Sequence, residues 1–152
     1  MARRKKRYRT GSYTSTKTGK KMWYRSSYEL RLMKCLDHDN GVEDYEYETV
    51  VIEHRQNRVL TENEIRLTDR KNRSYTPDFI IALCNGKKLM VEVKSMGTLL
   101  SNPTQRKKML GEQYCKMHDM HYILWTLEDI IPYEMRLGID MPDHEMWLAA
   151  QE

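Results

Sequence analysis

The alternation of apolar and polar positions divides the chain into short periodic blocks separated by turn residues. In "YRSSYELRLMKCLDHDNG", Tyr28, Leu32, Cys35 and Leu36 recur at helical spacing and form one stripe. Ser26 stands at the N-cap, Glu29 follows at the capping-box position, and Asn40-Gly41 stops the helix. "EDYEYETVVIEH" alternates and is rich in Tyr, Val, Thr and Ile, which predicts a strand. Residues 55–73, "RQNRVLTENEIRLTDRKNR", are polar and mixed in charge and read as a loop with at most a short strand or hairpin. Two strands are expected at Ser74–Leu83 and Lys87–Lys94, joined by Cys84-Asn85-Gly86-Lys87, because Asn-Gly tolerates the positive φ of a tight hairpin turn. Pro77 falls near the start of the first of them, where its missing N–H does least harm.

"NPTQRKKMLGEQYCKMHDM" predicts a helix from about Pro103 to Met117. "HYILW" reads as a short strand buried on both faces, "TLEDI" as a capped helical turn, and "MPDHEMWLAAQE" as a terminal helix. The order helix, strand, hairpin, helix, strand, helix implies an α/β (α+β) fold, a mixed central sheet flanked by helices. No internal repeat is present.

Charge changes this picture at one end. "MARRKKRYRTGSYTSTKTGKKM" has no apolar periodicity and predicts a basic, flexible arm over residues 1–22, ahead of a single domain over 23–152. Residues 1–25 hold ten basic side chains and no acid: Arg3, Arg4, Lys5, Lys6, Arg7, Arg9, Lys17, Lys20, Lys21 and Arg25. The rest of the chain carries 16 basic and 22 acidic residues, a net charge of −6. A basic arm on an acidic body points to a polyanion, whose binding would weaken steeply with salt. A solubilising tail or a targeting signal has the same composition.

A chain of 152 residues is long enough to bury a core without disulfides, and three scattered cysteines, Cys35, Cys84 and Cys115, imply no disulfide framework. With a mean hydropathy of −0.81, no long apolar run and no signal peptide, the chain reads as a soluble protein of a reducing compartment, with no membrane partner. One Phe against ten Tyr and eleven Met means that Tyr bodies, Met and aliphatic side chains must fill the core.

The candidate chemistry lies in "YTPDFIIALCNGKKLMVEVKS". Glu92 and Lys94 are two apart on a strand and leave the same face, while Val91 and Val93 fill the other. A tight hairpin brings Asp78 opposite Glu92. Two converging carboxylates repel and lose hydration unless a cation sits between them, and hard oxygen ligands suit Mg²⁺ or Mn²⁺. A nearby lysine can position an attacking water or steady a developing charge. The same three residues also suit a solvated hairpin face, whose cross-strand ion pairs are worth under about 1 kcal/mol. The β-branched runs around both acids favour the first reading.

"TPDF", thirteen intervening residues between the two acids, and "VEVK" resemble the Pro-Asp…(Asp/Glu)-X-Lys pattern of the restriction-endonuclease-like nucleases. Together with "YRSSYELRLM", the extended pattern is most similar to the head-completion nucleases of tailed phages and to the end-cleaving endonuclease subunit of Tn7-type transposons. Phage junction-resolving enzymes share it. The resemblance spans roughly Trp23 to Asp129. It implies catalytic roles for Glu29, Asp78, Glu92 and Lys94, and a metal held by Asp78, Glu92, the Val93 carbonyl and Glu29, directly or through water. The metal would be Mg²⁺, with Mn²⁺ able to substitute, and cleavage would leave a 5′-phosphate and a 3′-hydroxyl. DNA would lie along the arm, with Arg3, Arg4, Lys5, Lys6, Arg7, Arg9, Lys20, Lys21 and Arg25, along the 55–73 loop, and along the following helix, with Lys107, Lys108, Gln113 and Lys116. The resemblance further implies other phage head or neck proteins as partners, a homodimer where both strands are cut, and a place in the host cytoplasm or the virion. Some branches carry Gln-x-x-x-Tyr on that helix; here Gln113 and Tyr114 are adjacent.

Glu29 has a competing local role, since Ser26-x-x-Glu29 is also a capping box. A non-catalytic DNA-binding virion protein, or an RNA-binding protein with a chance motif, would be the alternatives of another class. Cys115 and His118 have zinc-like spacing, with His121 close by, but the chain lacks a second cysteine pair to complete such a site. The acidic run from Asp37 to Glu48 reads as a helix end and a solvated strand face. Trp23 and Tyr24 suit either stacking on bases or anchoring the arm to the body.

Overall fold

The computed structural model describes residues 10–53 and 74–152, and the chain forms two compact units. Residues up to 39 with 130–152 make one unit, and 40–129 the other.

The first unit opens on a hairpin, β1 (Gly11–Thr14) paired antiparallel with β2 (Lys21–Tyr24), followed by helix α1 (Ser27–His38). Residues 11–24 therefore form paired strands where sequence pattern alone predicts an extended arm. The physical reason is Asp37, near the end of α1. Its carboxylate accepts from the Tyr13 hydroxyl, from Ser15 Oγ at 2.6 Å and from the Thr16 N–H at 3.0 Å, so polar bonds replace the missing apolar periodicity. Residues 1–9, with Arg3, Arg4, Lys5, Lys6, Arg7 and Arg9, lie outside the described residues. Helix α1 is capped by Ser26 as its pattern predicts, and buries Leu32, Met33, Cys35 and Leu36.

The second unit is built on a four-stranded sheet. Its strands are β3 (Val42–Tyr47), β6 (Phe79–Leu83), β7 (Lys88–Val93) and β8 (His121–Trp125), in that spatial order. A smaller ribbon pairs β4 (Ile52–Glu53) with β5 (Ser74–Tyr75). The alternating run expected as one strand is thus split into β3 and β4, with Glu48 between them at φ 53°, outside any strand geometry. Residues 54–73, which include the expected loop, lie outside the described residues. The strand expected over 74–83 is split at Thr76-Pro77-Asp78, where Pro77 has no N–H to give a ladder.

The β6–β7 hairpin turns at Asn85-Gly86 as predicted. Gly86 has φ +88°, and Asn85 Oδ1 accepts from the Lys87 N–H at 3.0 Å. Pairing is antiparallel for β3–β6 and β6–β7 and parallel for β7–β8, which makes the sheet mixed. Helix α2 (Asn102–Met117), capped by Ser101, packs Leu110, Tyr114 and Cys115 against Met90, Ile52 and Tyr75. The β8 side chains from Tyr122 to Trp125 are only half-buried, which corrects the expectation of a strand covered on both faces. β8 is the last strand of this sheet among the described residues.

Helix α3 (Leu127–Arg136) runs ten residues, longer than the single turn expected, and α4 (His144–Ala150) closes the chain. Thr126 and Asp129 cap α3 reciprocally: Thr126 N–H donates to Asp129 at 2.9 Å, and Glu128 N–H to Thr126 Oγ1 at 3.3 Å. The first unit is tied by Arg31, whose guanidinium forks onto Glu134 and Asp143, while His144 reaches the same Glu134 at 3.0 Å. As the composition requires, Tyr45, Tyr75, Met33 and Met90 are among the fully buried side chains. Among the described residues, no helix is long and apolar enough to cross a membrane.

Candidate active site on the β6–β7 hairpin

The hairpin register sets the site. Phe79 pairs with Val91 and Ile80 with Met90, so Asp78, one residue before β6, falls opposite Glu92. Asp78 and Glu92 share the sheet face that carries Met90 and Ile80, while Phe79, Val91 and Val93 take the other. Both acids are nearly buried, at 8% and 4% exposure. They are locked to each other through the main chain. Asp78 Oδ2 accepts from the Val93 N–H at 2.8 Å, and Glu92 Oε2 accepts from the Asp78 N–H at 3.2 Å. Lys94 extends the same face and places Nζ 3.4 Å from Glu92 Oε1, and its N–H continues the parallel ladder to Trp125.

Burial pushes the Glu92 carboxyl above the usual carboxylate range; the Lys94 ammonium, hydrogen bonds from Tyr75 and Asp78, and Lys107 on α2 pull it back. Lys107, expected as a backbone contact for DNA, is thus within electrostatic reach of Glu92. Lys108 instead pairs with Glu112 one turn on, at 3.9 Å and largely exposed. Lys20, Lys21 and Arg25 are exposed in the first unit. Trp23 beside them is 65% exposed with Lys21 Nζ 5.0 Å above its ring, and Tyr24 is half-buried.

Glu29 belongs to the first unit, and its described bonds are those of a cap. Ser26 Oγ accepts from the Glu29 N–H at 3.2 Å, and Glu29 Oε2 accepts from the Arg25 N–H at 2.9 Å, one residue earlier than a standard capping box. Cys115 is buried among apolar groups and His118 is stacked on Tyr114 at 4.1 Å, which suits packing. Among the described residues, no group of three or more His, Cys, Asp or Glu side chains gathers at one point.

Two residues of the site are not among those the sequence pattern singles out. The Tyr75 hydroxyl donates to Glu92 Oε2 at 2.9 Å, and the Tyr122 hydroxyl lies 3.1 Å from that of Tyr75. Burial raises both phenols well above their ordinary range, so both stay protonated at any ordinary pH. The signal in the sequence was slight: Tyr75 opens the "YTPDF" stretch, and Tyr122 is a polar-tipped residue inside an apolar strand.

A mixed central sheet of this kind, flanked by helices, is the restriction-endonuclease-like fold. Residues 39–126, more than half of the chain, match the family model described as TnsA-like endonuclease N-terminal, and the chain belongs to that family. The matched stretch contains Asp78, Glu92 and Lys94, and not Glu29. No curated protein matches the chain.

Proposed function

We propose that the protein is a Mg²⁺-dependent DNA endonuclease whose centre is Asp78, Glu92 and Lys94. The observation that carries this reading is the convergence of two carboxylates, each more than nine-tenths buried, with the Lys94 ammonium 3.4 Å from one of them. Such a pair is costly as an ordinary structural feature. The donor set fits a small divalent ion, which is commonly held by one or two carboxylates while substrate phosphates and waters complete its shell. Asp78 and Glu92 would hold it, with the Val93 carbonyl and Glu29 as the further ligands that the wider nuclease pattern implies. When bound, the ion supplies charge neutralisation at the phosphodiester and a more acidic water.

The chain's own groups would do the rest. Lys94 orients the attacking water and offsets charge developing on the phosphate. Val93 N–H and Asp78 N–H fix the two carboxylates so that little reorganisation accompanies the reaction. In-line attack then leaves a 5′-phosphate and a 3′-hydroxyl. The basic residues of 1–25 and of α2 would hold the phosphate backbone, whose binding is salt-dependent.

The biological role we favour is processing of genome ends during phage head completion, on the strength of the basic arm. A transposon-type endonuclease is the second reading, and the family match supports it. A panel of supercoiled plasmid, single strand, flap and four-way junction separates these from junction resolution. Asp78→Ala and Lys94→Ala should abolish cutting on the preferred substrate while binding persists; cutting at the wild-type rate in either would end the proposal. Glu29→Gln keeps an oxygen for the Arg25 N–H, so lost cutting at unchanged melting temperature would assign Glu29 to the metal, and full activity would confine it to the cap. Binding without cutting on every substrate would move the protein to the non-catalytic, DNA-binding class.

A further inference from the structure

Resting on the site proposed above, we infer that Tyr75 and Tyr122 act in series to fix the orientation of the Glu92 carboxylate, Tyr75 as the positioning residue and Tyr122 as the group that holds Tyr75. An ionised carboxylate oxygen can only accept, so the single Tyr75 proton goes to Glu92 Oε2 over 2.9 Å. Tyr75 is then left as an acceptor. In its 3.1 Å contact with Tyr122 the proton therefore comes from Tyr122.

The direction of these bonds has a consequence at the site. Glu92 Oε2 receives two protein donors, the Tyr75 hydroxyl and the Asp78 N–H, and is turned inward. Oε1 is thereby presented toward Lys94, where the chemistry is proposed. The terminal torsion of a glutamate is soft, so without such donors the carboxylate would sample a broad range of orientations. Rotating it here would break both bonds at once.

Neither tyrosine needs its hydroxyl for packing. Tyr75 is 1% exposed in a cluster with Ile52, Met90, Leu110 and Tyr114, and its main chain pairs with Ile52. A phenylalanine would fill the same volume and spare a buried polar group its need for a partner. Tyr122 is pressed onto α2 at Gly111, where a Cβ would come within 2.3 Å of its ring carbon Cε2. The close approach that places the Tyr122 hydroxyl therefore depends on a residue with no side chain. The path Gly111, Tyr122, Tyr75, Glu92 lies wholly within residues 40–129.

The test uses the full chain with Tyr75→Phe, Tyr122→Phe and the double variant, beside Asp78→Ala. Outer groups that orient metal-site ligands typically contribute about 10–100-fold in activity or metal affinity. Tyr75→Phe should lower kcat by that order with KM for DNA unchanged, and should weaken Mn²⁺ binding to the DNA-free protein, read by electron paramagnetic resonance or calorimetry. Tyr122→Phe should have a smaller effect of the same kind, and the double variant should be no worse than Tyr75→Phe. Wild-type kcat and Mn²⁺ affinity in Tyr75→Phe, or a lowered melting temperature with unchanged Mn²⁺ affinity, would overturn the positioning role. A Tyr122→Phe effect that adds in full to Tyr75→Phe would overturn the series. Asp78→Ala keeps the two levels apart: if it cuts like wild type the proposed site itself falls, and if it is inert while Tyr75→Phe is normal only the relay falls.

Discussion

Cys35 and Cys115 show how far burial alone can settle a residue's chemistry. Both are 2% exposed or less, and burial pushes their thiols up to about 12 and about 11. At pH 8 only about 10⁻⁴ and 10⁻³ of them would be thiolate, the reactive form. Cys84 is exposed in the hairpin turn. Iodoacetamide should therefore label the native protein once and the denatured protein three times; labelling of a second site in the native state would contradict the burial assigned to α1 or α2. Gly111→Ala belongs to the same scale. Its methyl would meet the Tyr122 ring, and overpacking of this kind costs about 1–3 kcal/mol, so chemical denaturation should show a loss in that range.

The contrast between Asp78 and Tyr75 explains what residue patterns can reveal. Asp78 and Glu92 were legible as a pair because Asn85-Gly86 fixes the hairpin register, and register alone puts them face to face. Tyr75 and Tyr122 are 47 residues apart, and their contact exists only because β5, β8 and α2 meet. No local pattern encodes that meeting. Glu29 sits between these cases: its spacing from Ser26 predicted a cap, and a cap is what its described bonds form.

At the scale of elements, the first unit depends on one cation. Arg31, on α1, donates to Glu134 on α3 and to Asp143 just before α4. Glu134 is 1% exposed, so Arg31→Ala would leave its buried carboxylate with the His144 contact alone among the described residues; breaking such a pair costs about 3–5 kcal/mol, measurable as a fall in unfolding free energy. The Arg31 hydrogen bond also holds the Asp143 carboxyl below its ordinary 3.8. A depressed native pKa means that this stabilisation is present above the unfolded value and is lost as pH falls through the native one. Stability measured below about pH 4 should therefore drop more steeply in wild type than in Arg31→Gln, and equal slopes would argue against the Arg31–Asp143 coupling.

Elements were legible where a cap or turn residue marked them: Ser26 for α1, Pro103 for α2, Asn85-Gly86 for β6–β7. They were missed where polar bonds from afar did the work. The β1–β2 hairpin is held by Asp37, more than twenty residues along the chain, and nothing in "RTGSYTSTKTGKKM" announces it. Likewise Pro77 and Glu48 each cut an expected strand in two, since one missing donor or one positive φ suffices to end a ladder.

At the scale of the molecule, charge is divided as sharply as fold. Six of the ten basic side chains before residue 26 lie in residues 1–9. Each phosphate that the arm no longer neutralises should lower the slope of log K against log salt by about 0.9, so deleting residues 1–9 should flatten it by up to about 5. An unchanged slope would show that DNA is held elsewhere. The nuclease class was legible from one hairpin, because the proposed chemistry needs few residues and Asp78, Glu92 and Lys94 sit close in sequence. The division into two compact units was not, since it rests on the packing of the chain's two ends within one unit.

The most direct test is the conversion of supercoiled plasmid to nicked or linear forms with Mg²⁺, then with EDTA, by wild type and by Glu92→Gln. Gln keeps an oxygen for Tyr75 and Asp78, while the charge and the second acceptor oxygen, the one facing Lys94, are lost. Cutting by wild type that stops in EDTA, and an inert Glu92→Gln that still binds DNA, is the predicted result. Cutting that continues in EDTA, or at full rate in Glu92→Gln, would contradict a metal site at this carboxylate pair.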